Sequence, residues 1–189
     1  MSSEETLEEV QDYYLKLLLL GEPQVGKSSL IVRYIQNRFT EDYKTSLGAD
    51  FMAKTLVFDE KTPTKNINLQ IWDIAGQSKF SAFRKLYYTG VAGVLLVYDI
   101  SKVDTLKKLV EWNDDVKSFS PNAIKVLIGN KSDLTEIGLR EVSDEDRKAF
   151  EKSLDVASSI ETSAKTGYGV QEAFHLIART VLENQGKVL

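Results

Sequence analysis

The chain has 189 residues, 42% of them apolar and 28% charged, with a net charge of −4 and no cysteine. This balance fits one globular domain with a full core, and the acidic excess without a basic stripe speaks against nucleic acid and against direct binding to an anionic membrane surface. Without cysteine there is no disulfide, thiolate zinc site, cysteine nucleophile, prenylation or palmitoylation, and Ser2 rules out N-myristoylation.

The acidic start (Glu4, Glu5, Glu8, Glu9, Asp12) is not a secretory signal, and no apolar run reaches the length of a membrane span. A cytoplasmic chain is expected. Residues 1–12 read as a solvated acidic tail, although Leu7, Val10 and Tyr14 also fit helical spacing. A single domain follows over 13–185, then a short end over 186–189.

In chain order, Tyr14–Leu20 is a near-continuous apolar run suited to the centre of a parallel sheet. A helix is expected over Lys27–Asn37, then a polar segment from Arg38 to Asp50. Phe51–Phe58 and Ile67–Trp72 flank the turn around Pro63 and read as an antiparallel hairpin. Ser78–Tyr88 is mixed, a loop with an irregular helix. Gly93–Tyr98 and Ile124–Gly129 are buried strands, and Val156–Glu161 is a shorter one. Val103–Phe119 is helical, with Leu106, Leu109, Val110, Val116 and Phe119 on its apolar side. Ser143–Leu154 is a helix capped by Ser143, with Asp146 three residues on, and Val170–Asn184 is the last helix. Strands alternating with helices predict an α/β fold: a mostly parallel sheet with helices on both faces, its ligand at the carboxyl ends of the strands.

The polar motifs fall at those ends. Gly21-Glu22-Pro23-Gln24-Val25-Gly26-Lys27-Ser28 lies between the first strand and the first helix, the setting of a phosphate-binding loop. Its backbone N–H groups, through Gln24, Val25, Gly26, Lys27, Ser28 and Ser29, curl round an anion at a helix N-terminus. Lys27 reaches the outer phosphates, and the Ser28 hydroxyl is a hard ligand for Mg2+. Trp72-Asp73-Ile74-Ala75-Gly76-Gln77 ends a strand: Asp73 can hold Mg2+ through water, the Gly76 N–H can meet a terminal phosphate, and Gln77 can orient a water. In Asn130-Lys131-Ser132-Asp133, a carboxylate accepts from the N1 and N2 donors of guanine and repels the N1 acceptor of adenine. In Glu161-Thr162-Ser163-Ala164-Lys165, a backbone N–H can meet the guanine O6, although taken alone the stretch is a weak signal and reads as readily as an ordinary strand-end loop.

These four motifs, in this order and each after a strand, resemble the Ras superfamily of small GTPases over residues 13–185. The Rab branch is the most similar, through Leu47-Gly48-Ala49-Asp50-Phe51, Leu69–Gln77, Tyr87-Tyr88-Thr89-Gly90 and Leu96-Val97-Tyr98-Asp99-Ile100. The resemblance implies a P-loop G domain with a six-stranded, mostly parallel sheet carrying one antiparallel strand. It implies GTP and GDP as ligands, Mg2+ as cofactor, slow GTP hydrolysis, and a switch serving vesicle or membrane trafficking. Gln77 and Lys27 take the catalytic roles. Ser28 and Ser46 bind Mg2+ directly, and Asp73 does so through water. Phe39 packs on the guanine, Tyr43 covers the phosphates, and Asn130, Lys131 and Asp133 with Ser163, Ala164 and Lys165 select the base. Phe51, Trp72 and Tyr87 form an effector surface, with core packing as their other reading.

Partners implied are a GTPase-activating protein, since no internal arginine finger is recognisable, an exchange factor and effectors. A monomer is expected, without a direct lipid anchor in this chain. Four features depart from the family pattern: Ser46 where Thr is usual, Pro23 in the phosphate loop without an N–H, a longer hairpin turn around Pro63, and an end lacking cysteine. Pro23 and Ser46 favour a rival reading, a GTP-binding interaction module that hardly hydrolyses. Asp133 stands against a second rival, an ATP-using P-loop enzyme.

Overall fold

The computed structural model describes residues 11–40, 49–57, 65–74 and 84–187. Tyr43, Ser46, Gly76, Gln77 and the turn around Pro63 lie outside the described residues, as does the acidic stretch before Gln11.

Six strands form one sheet in the order β2-β3-β1-β4-β5-β6. They are β1 (Gln11–Leu20), β2 (Ala49–Val57), β3 (Lys65–Ile74), β4 (Gly93–Asp99), β5 (Ile124–Asn130) and β6 (Ser158–Thr162). β2 runs antiparallel to β3, and every other pairing is parallel. Leu17–Leu20 of β1 and Gly93–Tyr98 of β4 are unbroken buried runs because both faces of the sheet are covered. On β1, Leu15, Leu17 and Leu19 point to one face, where α1 (Lys27–Gln36) and α6 (Val170–Asn184) pack through Leu30, Ile31, Tyr34, Phe174 and Ile177. Leu18 and Leu20 point to the other face. There α2 (Arg84–Tyr88), α3 (Val103–Lys107), α4 (Leu109–Phe119) and α5 (Asp144–Leu154) supply Tyr88, Leu106, Leu109, Trp112, Val116 and Leu154. The parallel register brings the carboxyl ends of β1, β3, β4, β5 and β6 to one edge of the sheet.

Four local features differ from the sequence expectations. β1 starts at Gln11 rather than Tyr14, because Gln11 and Asp12 pair in register with Lys65 and Asn66, and Asn66 donates to the Asp12 carboxylate at 2.9 Å. The single helix expected over Val103–Phe119 is broken at Lys108 into α3 and α4. The inward stripe of α4 is therefore Leu109, Trp112 and Val116, whereas Val110 and Phe119 are exposed. β6 begins two residues later than expected, because Asp155 adopts a left-handed conformation (φ 54°) and Val156 donates back to Glu151 at the end of α5. Ser132–Ile137 forms a short 3-10 helix. The Ser143 cap holds as read: its side chain accepts from the Asp146 N–H at 3.0 Å, while its hydroxyl donates to the Asp146 carboxylate.

Candidate nucleotide site

The loop between β1 and α1 is shaped by two glycines. At Gly21 (φ 145°) a Cβ would stand 2.2 Å from the Val97 carbonyl oxygen, and at Gly26 (φ 97°) one would stand 2.3 Å from Asn130 Nδ2. Only a residue without a side chain permits these approaches. Lys27, at the first position of α1, is buried and reaches back across the loop, donating to the carbonyls of Gly21 (2.8 Å) and Glu22 (3.1 Å). Burial lowers its pKa, opposed by the charges of Asp73 and Glu22. The Ser28 hydroxyl donates to the carboxylate of Asp73, which ends β3 and is buried. A buried ammonium and two hard oxygens thus stand close together.

The second half of the site lies behind β5 and β6. Asn130 is buried, and its carboxamide joins three segments. Nδ2 donates to the Val25 carbonyl of the phosphate loop at 2.8 Å, and Oδ1 accepts from the Thr162 hydroxyl and the Ala164 N–H, each at 3.2 Å. Lys131 has φ 68°, and its ammonium meets the buried Asp99 carboxylate at the end of β4 at 2.6 Å. Burial alone would push Asp99 up. The hydrogen bonds from Lys131 and Ser101 outweigh it and hold the carboxyl below its ordinary value. Asp133 accepts from the Ser163 hydroxyl at 2.5 Å, and that hydroxyl accepts from the Thr166 N–H at 3.1 Å. From α1, the Arg33 guanidinium donates to the carbonyls of Ala164 (2.8 Å) and Lys165 (2.7 Å), fixing the loop after β6.

Between these pieces lies a cavity of about 280 Å³, lined by Gly26, Ser29, Phe39, Asn130, Lys131, Asp133, Ala164 and Lys165 among others. It brings the loop after β1 and the segments after β5 and β6 to one space. A larger cleft of about 510 Å³ opens between α5 and β6. Its arginines are already taken, Arg140 by both oxygens of Glu161 (2.9 and 2.6 Å) and Arg147 by Glu151, so size does not make it the better anion site.

Sequence reasoning missed Arg33, Asp99 and Thr162. Asp99 carried a usable signal, since it ends a strand on the same edge as Asp73. Arg33 carried none, because its partners lie more than 130 residues away. On the other face of the sheet, Phe51 pairs opposite Trp72, with ring centroids 5.1 Å apart, and Trp72 stands 6.0 Å from Tyr87. Phe51 is 48% exposed, whereas Trp72 and Tyr87 are half-buried and pack against the core on that face. His175, the only histidine, is half-buried on α6.

Fold and site together define a class, the P-loop GTP-binding domain. The sequence model of the Ras family matches residues 16–183. Curated relatives extend over nearly the whole chain. GTP-binding protein ypt4 of Schizosaccharomyces pombe is 37% identical over 175 residues, 92% of this chain and 74% of the relative. Ras-related protein Rab-1C of Dictyostelium discoideum is 39% identical over 171 residues, 90% and 82% of the two chains. Ras-related protein RABD2a of Arabidopsis thaliana is 38% identical over 173 residues, 91% and 82%. The chain belongs to the Ras family, as a Rab-like small GTPase, a GTP hydrolase of the branch that serves vesicle trafficking.

Proposed function

We propose that this Rab-like GTPase selects guanine with the β5 and β6 loops, reads the γ-phosphate at the opposite end of the nucleotide, and recruits effectors while GTP is bound. The observation that carries this reading is the Asn130 carboxamide, which bonds the phosphate loop to the loop after β6 around one cavity. Asp133, oriented by Ser163, accepts from the base edge, Ala164 offers its neighbourhood to O6, Phe39 packs on the ring, and Lys131 is held by Asp99 alongside.

Mg2+ fits the donor set. Ser28 and Asp73 offer hard oxygens in mutual contact, and Ser46 would add a third. Among the described residues no cluster of three His, Cys, Asp or Glu could cage a metal alone, which suits an ion that shares its coordination with phosphate oxygens. When bound, Mg2+ supplies charge neutralisation at the phosphates. Lys27 and the loop N–H groups hold the phosphates, Gln77 orients the attacking water, and Gly76 and Ser46 contact the γ-phosphate, so that their segments answer to its loss. Tyr43 covers the phosphates.

Effectors meet the Phe51–Trp72–Tyr87 cluster. A GTPase-activating protein supplies the missing arginine, and an exchange factor reloads the site. No described helix is long and apolar enough to cross a membrane, and we assign the chain, as a monomer, to cytosolic membrane faces reached through partners. Extraction of nucleotide from the purified protein, followed by a GTP-loading time course with Mg2+, tests this reading. Bound guanine nucleotide and slow conversion of GTP to GDP are expected; retained adenine nucleotide, or GTP that never converts, would overturn it.

A further inference from the structure

Glu22 is the second residue of the phosphate loop, and its presence there is a physical problem. A carboxylate beside a phosphate site repels the ligand, and it is also a natural partner for Lys27, whose pKa it raises through space. The Glu22 backbone carbonyl already accepts from the Lys27 ammonium at 3.1 Å, so the acid and the phosphate-binding lysine are neighbours.

The structure answers with two donors from the opposite face of the sheet. Lys108, at the break between α3 and α4, donates to Glu22 Oε2 at 3.0 Å, and the indole N–H of the buried Trp112 points at Oε1 at 3.4 Å. Each carboxylate oxygen has its own donor, and both donors come from outside the loop. Lys107, next in sequence, is turned away toward Asp104 at 3.7 Å, so the helix break is what aims Lys108 at the loop. The hydrogen bond from Lys108 to Glu22 also holds the Lys108 ammonium above its ordinary value.

We infer that Lys108 and Trp112 are positioning residues of the phosphate loop: they neutralise and turn away Glu22, and so leave Lys27 to the phosphates. This rests on the nucleotide-site reading above and names a device that reading does not contain. The pair is partly exposed, so its effect should be modest and sensitive to salt.

The test is a double-mutant cycle on affinity for GDP and on its release rate. K108M should weaken GDP binding about 3- to 10-fold at low ionic strength, with the loss shrinking in about 0.5 M salt. K108R should restore wild-type behaviour. In the E22Q background, K108M should change nothing further, because the charge it guards is gone. A spectroscopic arm uses the count of two tryptophans: in W72F, Trp112 is the only one left. Its emission should shift when nucleotide is removed, and E22Q should abolish that shift. GDP affinity of K108M equal to wild type would overturn the inference, and so would a loss of the same size in E22Q, which would mean that Lys108 only braces the helix. Failure of the wild type to bind guanine nucleotide would overturn the underlying reading as well, and it is seen before any variant is made.

Discussion

The two ends of the site are held in different ways. At the base end, the groups that would face a ligand are fixed by the protein itself: Asp133 by Ser163, Lys131 by Asp99, Ala164 and Lys165 by Arg33, and the whole by Asn130. At the phosphate end, the groups of interest rest on one another. Lys27 sits on carbonyls of its own loop, and Ser28 sits on Asp73. The first arrangement is preorganised, as the proposed recognition of an unchanging base requires. On the proposed reading, the second exchanges partners when phosphates arrive, which suits an end that tells triphosphate from diphosphate.

The comparison can be broken most severely at Asp133. D133A should cost about 100-fold or more in GDP affinity, since it removes the acceptor for two base donors. Calorimetric titration with GDP checks it, and wild-type affinity would show that the base end does not read guanine through this carboxylate. Next in size is chelation. EDTA should speed GDP release about 10-fold or more, while affinity for guanosine, which has no phosphates, should be unchanged. Stopped-flow release and competition by guanosine separate the two ends directly.

R33M should cost about 1–2 kcal/mol of stability, because it leaves two carbonyls of the loop after β6 without their charged donor. Denaturant unfolding measures the loss, and GDP affinity should fall with it if the base end depends on prior order. The smallest effect expected is acid sensitivity through Asp99. Its folded pKa lies below its unfolded one, so it contributes stability that is present above the unfolded value, about 3.9, and is lost as pH falls through the folded value. D99N should flatten the acid limb of the melting temperature measured from about pH 5 downward. An unchanged acid limb would remove the Asp99–Lys131 pair from the list of base-end supports.

The parallel strands were legible because burial on both faces leaves no polar positions, as in Leu17–Leu20 and Gly93–Tyr98. The motifs were legible because each sits in a short run after such a strand. What could not be read is whatever depends on distant partners. Arg33 looks like any exposed helical arginine until the fold brings the loop after β6 beside it. The break at Lys108 is marked by no Pro or Gly, and the residue bonds to Glu22, 86 positions earlier. Asn130 was read as one of the guanine-selecting residues, and sequence alone gave no hint that its carboxamide also bonds to the phosphate loop.

That carboxamide has a kinetic meaning. One side chain bonds Val25 through Nδ2 and Ala164 through Oδ1, so loosening either the loop after β1 or the loop after β6 takes a partner from the same buried amide. In the language of hydrogen exchange, the two loops belong to one opening unit, and their amides should share a single protection free energy. Opening of the loop after β1 should therefore raise amide exchange in the loop after β6 as well, and exchange measured on both loops checks it.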